Sequence, residues 1–409
     1  MAATTLWWML HAWRTPETLS STGFSGPIDA PRLSFSLLVP ARHEQAVLAR
    51  TLIRLAESQH PDVEVIAIIG HDDPETEIQA RVAENAFPHR IRVVIDHSWP
   101  KNKPKALMTA LPECRGEIIG VFDAEDDVDV RLLRFVDSAF RRTGADIVQS
   151  GVQLIDFRAR WFSVRNCLEY FFWFRSRLHL QAEHGFIPLG GNTVFVRADR
   201  LRAAGGWNTE CLAEDCELGV RMSSLGARTV VAYDPHVVTR EETPPSVRAL
   251  LKQRTRWNQG FLQVYRAGLW RALPRRRRIL ARFTLAQPFL QAFAGLAVPA
   301  SIAMVLWARV PVAVALLSFL PAIPVLATVA FEIAGLRDFC RSYYVRPRLS
   351  DYLRLVLGTV PYQLILSAAA VRAVIRELVG QRGWEKTEHV GTFLGEDVDG
   401  NSESGLVTT

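Results

Sequence analysis

The sequence predicts an α/β protein with a mostly parallel sheet, helices on both faces of the sheet, and transmembrane or interfacial helices toward the C-terminal end. Between residues 34 and 142, short runs rich in β-branched residues alternate with helical stretches. Near-continuous apolar strands separated by helices are typical of a parallel sheet buried on both faces. From about Phe289 onward, the chain contains apolar runs of membrane-spanning length. These two observations define the N-terminal and C-terminal parts.

The elements follow in a regular order up to residue 142. Length and β-branched content predict four strands, at 34–40, 63–70, 91–96 and 117–123. Helices are predicted at 44–57, 75–85, 104–111 and 130–142. The less regular stretch that follows contains a predicted aromatic helix at 161–180, a strand at 189–197 and a helix at 212–226.

Two apolar segments, 285–307 and 311–336, are each long enough to cross a membrane. Four arginines follow the second segment, which is the pattern expected where a chain returns to the cytoplasm: Arg337, Arg341, Arg346 and Arg348. A third segment, between Arg354 and Arg372, is interrupted by Pro361 and has basic residues on both sides. These features favour a tilted interfacial or re-entrant helix over a full crossing.

Four regions are therefore predicted. They are an N-terminal segment (1–33), a cytoplasmic domain (34–260), a membrane-associated part (261–390) and a disordered polar tail (391–409). The apolar stretch 6–10 is too short for a signal peptide, and its tryptophans suit an interfacial turn. We expect a multi-pass protein of the cell (inner or cytoplasmic) membrane.

The charge distribution supports this arrangement. The net charge is +6, and the basic residues are concentrated in RALPRRRR (271–278), directly before the apolar segments. A run in that position marks the cytoplasmic membrane face, where membrane lipids are the partners. Nucleic acid is the weakest alternative, because the basic residues are not spread along a groove. The five cysteines have no regular spacing and are interpreted as reduced and structural.

The strongest local signal for chemistry is VFDAEDD (121–127). A strand that delivers clustered carboxylates to its C-terminal end forms a hard-oxygen site for Mg²⁺ or Mn²⁺. Asp123 directly follows the apolar part of this strand. The alternative is an acidic loop that caps the next helix, a role suited to Asp127 or Asp129.

Two further motifs are rich in functional residue types. LAEDCELGVRMSSLG places Glu214 and Asp215 in the first turn of a helix, where acidic residues also act as ordinary stabilisers. QRTRWNQG (253–260) places Gln253, Arg256 and Trp257 on one helix face. That face suits a bound anion beside a sugar ring, but an interfacial helix would carry the same residues.

These motifs, in this order, resemble the family 2 glycosyltransferases, in particular the membrane-integrated branch of cellulose, chitin and hyaluronan synthases. The resemblance covers about residues 34–260 and extends into the membrane segments. It rests on VPARHE, IGHDD, KPKALMTAL, FDAEDD, LGGNTVFVR with GGWN, AED, QRTRW and WEKTEH (384–389). It implies a GT-A-type, Rossmann-like fold. It also implies a nucleotide-diphosphate sugar donor, most often UDP-linked, and a glycan or lipid acceptor.

The resemblance also implies roles for individual residues. Asp215, with Glu214 beside it, corresponds to the general base, and Asp123 and Glu125 correspond to the ligands of Mg²⁺ or Mn²⁺. The family motif usually reads Asp-x-Asp, so Asp126 is an alternative ligand to Glu125. Residues that match donor-nucleotide contacts are Pro40, Glu44, Asp72, Lys105 and Asp123. Residues that match diphosphate or acceptor contacts are Gln253, Arg256, Trp257, Gly190, Gly191 and Trp207.

The expected function is metal-dependent, inverting transfer of a sugar onto a growing β-linked polysaccharide. The alternative is transfer of a single sugar to a polyprenyl phosphate or another lipid, which suits the small membrane part. A polymer channel built on two or three crossings would require a homo-oligomer or a partner subunit. A non-catalytic scaffold is the rival from another class, and the intact acidic and QRTRW motifs argue against it.

Overall fold

The computed structural model describes residues 6–8, 10–14, 30–307, 322–381 and 383. Its centre is a seven-stranded sheet with the strand order β3-β2-β1-β4-β7-β5-β8. The strands are β1 (Phe35–Ala41), β2 (Val63–Gly70), β3 (Ile91–Asp96), β4 (Ile118–Val121), β5 (Ile147–Ser150), β7 (Val194–Arg197) and β8 (Thr229–Ala232). A separate pair, β6 (Val152–Leu154) and β9 (Thr239–Glu241), forms a small parallel sheet.

The main sheet is mostly parallel, as predicted. β1 pairs in parallel with β2 and β4, β2 pairs in parallel with β3, and β5 pairs in parallel with β8. Only β7 runs antiparallel to its neighbours β4 and β5. Two apolar cores lie on opposite faces of the main sheet. Neighbouring residues of β1 point into different cores: Leu37 belongs to one and Leu38 to the other. The α/β class is therefore confirmed.

The helices cover both faces of the sheet and then continue as a C-terminal helical layer. In chain order they are α1 (His11–Arg14), α2 (Leu48–Ala56), α3 (Pro74–Ala86), α4 (Lys103–Ala110), α5 (Leu132–Thr143), α6 (Ser163–Phe172), α7 (Leu178–Glu183), α8 (Ala198–Ala203), α9 (Glu214–Ser224), α10 (Val247–Ala267), α11 (Arg275–Leu285), α12 (Gln287–Trp307), α13 (Ala322–Ser342), α14 (Leu349–Leu357) and α15 (Thr359–Leu378). A π-helical turn, Trp173–Arg177, joins α6 to α7, and 3-10 turns occupy Leu111–Glu113 and Leu269–Ala272.

The C-terminal helices pack directly on the α/β domain. Phe171 and Phe172 of α6 share an apolar cluster with Leu336 and Phe339 of α13 and with Leu355 of α14. Tyr362 of α15 is fully buried, and its hydroxyl donates to Glu169 of α6 at 2.8 Å. These contacts attach the predicted membrane part to the aromatic helix of the domain.

The prediction of transmembrane helices is not supported by the described residues. Within them, no single helix combines the length and the apolar composition needed to cross a membrane. Only α14 and α15 together meet that requirement, and they meet at a bend of 46° inside the third predicted segment. The segment 285–307 corresponds mainly to α12, and 311–336 lies partly outside the described residues. WEKTEH and the predicted tail lie entirely outside them.

Candidate active site

A cavity of about 1750 Å³ lies at the carboxyl ends of β1 and β4 and extends to the C-terminal helices. Ligands of open α/β sheets bind at this edge of the sheet. Eleven of the predicted site residues line the cavity: Pro40, Glu44, Asp123, Glu125, Gly190, Gly191, Glu214, Asp215, Gln253, Arg256 and Trp257. The folded chain therefore brings together motifs that are far apart in the sequence.

In the acidic loop after β4, one carboxylate stabilises the loop and two others line the cavity. Asp126 is 1% exposed, and it accepts hydrogen bonds from the Asp123 backbone N–H (2.8 Å) and from Asn192 Nδ2 (3.0 Å). Its carboxylate thus fixes the loop and ties it to the 190–193 segment. Asp123 and Glu125 instead line the cavity. The geometry favours Glu125 over Asp126 as the second carboxylate available to a ligand.

These carboxylates crowd one another. Burial, followed by repulsion from Asp123 and Glu44, raises the pKa of Glu125 to about 8. A bound cation would relieve this excess of negative charge. Among the described residues, no group of three or more His, Cys, Asp or Glu side chains can hold a metal ion. Two carboxylates completed by substrate phosphates are nevertheless a usual arrangement for Mg²⁺. Asp123 and Glu125 fit an ion that binds together with a diphosphate.

Lys103 is the central cation of the cavity. The lysine predicted from the sequence to contact the donor nucleotide is Lys105. The Lys103 ammonium donates to the Asp123 carboxylate and to the Gly191 carbonyl oxygen, the latter at 2.8 Å. Burial disfavours the ammonium, but attraction to Asp123 and Glu214 outweighs burial and raises the pKa of Lys103. Lys105 lies outside this cavity, where it donates to the Trp99 carbonyl oxygen (3.2 Å) and faces Glu210.

Glu214 and Asp215 begin α9 at the cavity wall. Burial and then repulsion from Asp215 raise the pKa of Glu214 to about 7, and burial also raises the pKa of Asp215. The backbone of Gly191 passes close by, so that a Cβ at this position would lie 3.2 Å from Asp215 Oδ2. A carboxylate with a raised pKa in a cleft is a candidate for acid–base chemistry.

The QRTRW motif lies in the middle of α10, and four of its five side chains line the cavity: Gln253, Arg254, Arg256 and Trp257. The Trp257 ring lies 6.3 Å from the ring of Tyr170, and the Arg254 guanidinium lies 4.7 Å from the Trp257 ring. Gln253 is 8% exposed, and its Oε1 has no hydrogen-bond partner among the described residues. An uncompensated buried acceptor beside the cavity suggests a contact completed by a ligand.

Three predicted site residues lie elsewhere. Trp207 is 5% exposed and belongs to the apolar core, and its backbone N–H donates to Met108 Sδ (3.2 Å). It does not line the cavity, so it cannot stack on a sugar there. Asp72 does not line the cavity and forms an ion pair with Arg42 at 2.9 Å. Lys105 is the third. The remaining role assignments stay predictions.

Sequence reasoning also missed the aromatic wall. Glu169, Tyr170, Trp173, Phe174 and Arg177 line the cavity from α6 and the π-helical turn. The predicted helix 161–180 contains all five, and its unusual mixture of aromatic and charged residues was the available signal. The N-terminal Trp8, predicted to be interfacial, is 3% exposed and also lines the cavity.

Comparison with known proteins agrees with this architecture. The family model "Glycosyltransferase like family 2" matches residues 31–260. The beta-monoglucosyldiacylglycerol synthase of Trichormus variabilis is 30% identical over 234 residues, which are 56% of this chain and 49% of that protein. The poly-beta-1,6-N-acetyl-D-glucosamine synthase of Staphylococcus epidermidis is 22% identical over 237 residues, 58% of this chain and 56% of that protein. The chain thus spans about half the length of these curated relatives.

A solved structure shows the same fold across nearly the whole chain. It is the mannosyltransferase PcManGT of Pyrobaculum calidifontis in complex with GDP-Man and Mn²⁺, with a TM-score of 0.59, 19% identity, and coverage of 93% of this chain and 97% of that one. The fold is of the GT-A type. The chain belongs to glycosyltransferase family 2.

Proposed function

We propose that the protein transfers a single sugar from a nucleotide-diphosphate sugar to a lipid acceptor, with inversion at the anomeric carbon. One observation carries this proposal: the same cavity is lined by the carboxylates of the α/β domain and by apolar residues of the C-terminal helices. The apolar lining includes Pro288, Ala294 and Ala303 of α12, Val329 of α13, and Val360 and Leu364 of α15. A donor and an acyl chain can therefore occupy one continuous space.

The polar end supplies the groups that transfer chemistry requires. Asp215 is the base that removes a proton from the attacking acceptor hydroxyl. Lys103 and Arg256 supply positive charge for the departing diphosphate. Asp123 and Glu125 would hold Mg²⁺ or Mn²⁺, which would neutralise further charge on the leaving group. A single displacement converts an α-linked donor sugar into a β-linked product, and it breaks the bond between the anomeric carbon and the diphosphate oxygen.

Membrane attachment at the cytoplasmic face is part of the proposal. Large apolar side chains are exposed on α12, α14 and α15, among them Phe293 (72%), Trp307 (92%), Leu357 (73%) and Leu378 (80%). Exposed apolar patches of this kind are typical of membrane interaction sites. The arginines at 275–278 begin α11, just before these helices, and suit anionic headgroups.

A second candidate is repeated addition of β-linked sugars to a polysaccharide. The QRTRW motif and the similarity to a poly-beta-1,6-N-acetyl-D-glucosamine synthase favour it. The name of the beta-monoglucosyldiacylglycerol synthase and the apolar half of the cavity favour the lipid acceptor. Polymer export would require a channel, which a homo-oligomer or a partner subunit would have to supply.

The test is donor turnover by the purified protein in detergent. A panel of nucleotide sugars would be offered with Mg²⁺ or Mn²⁺ and a short-chain lipid with a free hydroxyl, and nucleotide diphosphate release and product mass would be measured. We expect one donor to give one product that carries a single added sugar, with loss of activity after chelation. A ladder of lengthening sugars would support the polysaccharide candidate. If no nucleotide sugar of the panel is bound and none releases nucleotide diphosphate, both candidate functions are contradicted.

A further inference from the structure

Arg177 has an unusual position in the cavity wall. It ends the π-helical turn, and its guanidinium carbon lies 4.2 Å from the centre of the Trp8 ring and 4.4 Å from that of Trp173. Its Nη2 donates to Gln287 Oε1 at 2.7 Å. Gln287 begins α12, so Arg177 lies where the α/β domain meets the C-terminal helices.

The charge of Arg177 has no counterion among the described residues. No carboxylate in the described part of the chain lies within ion-pair distance of its guanidinium, and its Nε is buried without a hydrogen-bond partner there. The attraction that acts on it comes from Glu169, whose carboxylate is already engaged by Arg254 and by the Tyr362 hydroxyl. Burial therefore dominates and lowers the pKa of Arg177 to about 9. A buried cation without a partner is costly unless a ligand supplies the opposite charge.

Two other arginines of the same wall are neutralised by the protein itself. Arg165 makes a two-pronged ion pair with Glu332, at 3.1 and 2.8 Å. Arg254 pairs with Glu169. Arg177 differs from both because its neighbours are indole rings and an amide. Aromatic rings partly compensate a cation through their faces, but they leave the in-plane N–H groups of a guanidinium without acceptors.

We propose that Arg177 binds the phosphate group of the lipid acceptor, so that the acceptor is a phospholipid with a free hydroxyl rather than a neutral diacylglycerol. This inference rests on the proposed function and narrows its acceptor class. The planar donor fork of arginine matches phosphate oxygens in geometry and charge. The position of Arg177 beside α12 places the phosphate at the boundary between the polar and apolar halves of the cavity. The acyl chains then lie along α12 and α15.

The experiment compares two lipids that differ in the phosphate. Dioctanoylphosphatidylglycerol and dioctanoylglycerol would be titrated by calorimetry into the full-length protein in neutral detergent, with saturating UDP and Mg²⁺ to fill the donor pocket. We expect the wild type to bind the phospholipid at least about tenfold more tightly, as charge-assisted hydrogen bonds predict. Arg177→Gln should abolish this preference, and Arg177→Lys should keep part of it.

The matched control is Arg50→Gln. Arg50 is exposed on α2, lies outside the basic run 271–278 and does not line the cavity. This variant removes the same charge and should leave both affinities unchanged. Free glycerol 3-phosphate forms a third arm, and we expect it to bind at least about tenfold more weakly than the phospholipid, because it lacks acyl chains.

Several outcomes would overturn the inference. These are equal wild-type affinities for the two lipids, equal loss of both in Arg177→Gln, or glycerol 3-phosphate binding as tight as phospholipid binding. If thermal melting shows that Arg177→Gln does not fold, the wild-type comparison and the intermediate affinity of Arg177→Lys still decide. UDP binding shows whether a negative result concerns the proposed function or only the phosphate site. Absence of UDP binding contradicts the proposed function, whereas UDP binding without lipid preference contradicts only the phosphate site.

Discussion

Gly260 of α10 lies directly against Ala213, the residue that precedes the Glu214–Asp215 pair. A Cβ added at Gly260 would lie 2.3 Å from the Cβ of Ala213, and nearby Gln263 Oε1 accepts from the Leu212 backbone N–H at 2.9 Å. The helix that carries Gln253, Arg256 and Trp257 is thereby docked on the loop that carries the acidic pair. Two motifs separated by about forty residues of sequence share one rigid contact.

We expect Gly260→Val to reduce sugar transfer strongly, because the added side chain must push α10 away from Ala213. Overpacking of this kind costs about 1–3 kcal/mol of stability. Nucleotide diphosphate release and thermal melting would be measured together. Gly383→Ala is the control, since a Cβ there meets nothing within 4 Å. Normal turnover in Gly260→Val would show that the contact does not position the site.

The two lysines at the start of α4 should differ sharply. Lys103→Met leaves Asp123 and Glu214 without their cation and removes positive charge from the diphosphate pocket, so donor affinity should fall about tenfold or more. Lys105→Met removes contacts with Trp99 and Glu210, both made outside the cavity, and should change donor affinity less than about twofold. Calorimetric titration with UDP tests both. A larger loss of UDP affinity in Lys105→Met than in Lys103→Met would support Lys105 as the donor contact, as predicted from the sequence.

The pH dependence should report the raised carboxyl pKa values. Glu214 has a pKa of about 7, and burial also raises the pKa of its neighbour Asp215. A base works only when it is ionised, so the raised pKa of Asp215 should make kcat/KM fall on acidification at a higher pH than the value of about 4 that is ordinary for a carboxyl group. A profile independent of pH between about 5 and 8 would contradict this.

Trp257 should serve the acceptor more than the donor. Trp257→Ala removes an aromatic surface beside Tyr170 and should raise the acceptor KM by roughly tenfold, with little change in UDP affinity. Trp161→Ala is the matched control because Trp161 is also partly exposed, at 39%, and does not line the cavity. Equal loss of donor and acceptor affinity in Trp257→Ala would exclude the stacking role.

The sequence predicted the parts of the site that local pattern controls. Asp123 was found because carboxylates follow a buried strand, and parallel strands deliver their ends to one edge. The sequence predicted Lys105 as a donor contact, but the structure places Lys103 in the cavity and Lys105 outside it. Residues two apart on a helix point to nearly opposite sides, and only the packed structure shows which side faces the cavity. Trp207 was misplaced for a related reason, since its burial beside Met108 depends on a contact across ninety-nine positions.

Tertiary packing also explains the missed elements. β5 and β8 have four residues each, which is too short for a periodic signal. They form strands because β5 pairs with β7 on one side and with β8 on the other. The unusual position of Arg177 could not be predicted from the sequence for the same reason. Its isolation from carboxylates follows from the π-helical turn and from the approach of Trp8 and Gln287, which come from distant parts of the chain.

The most direct test of the account is Asp215→Asn, assayed for both transfer and donor binding. The substitution preserves size and removes only the ability to accept a proton, so transfer should fall by about 10²–10⁴-fold. UDP affinity in the presence of Mg²⁺ should remain within about threefold of wild type, because the base acts only in the chemical step. Near-normal turnover would contradict the assignment of Asp215 as the base and, with it, the mechanism proposed for this cavity.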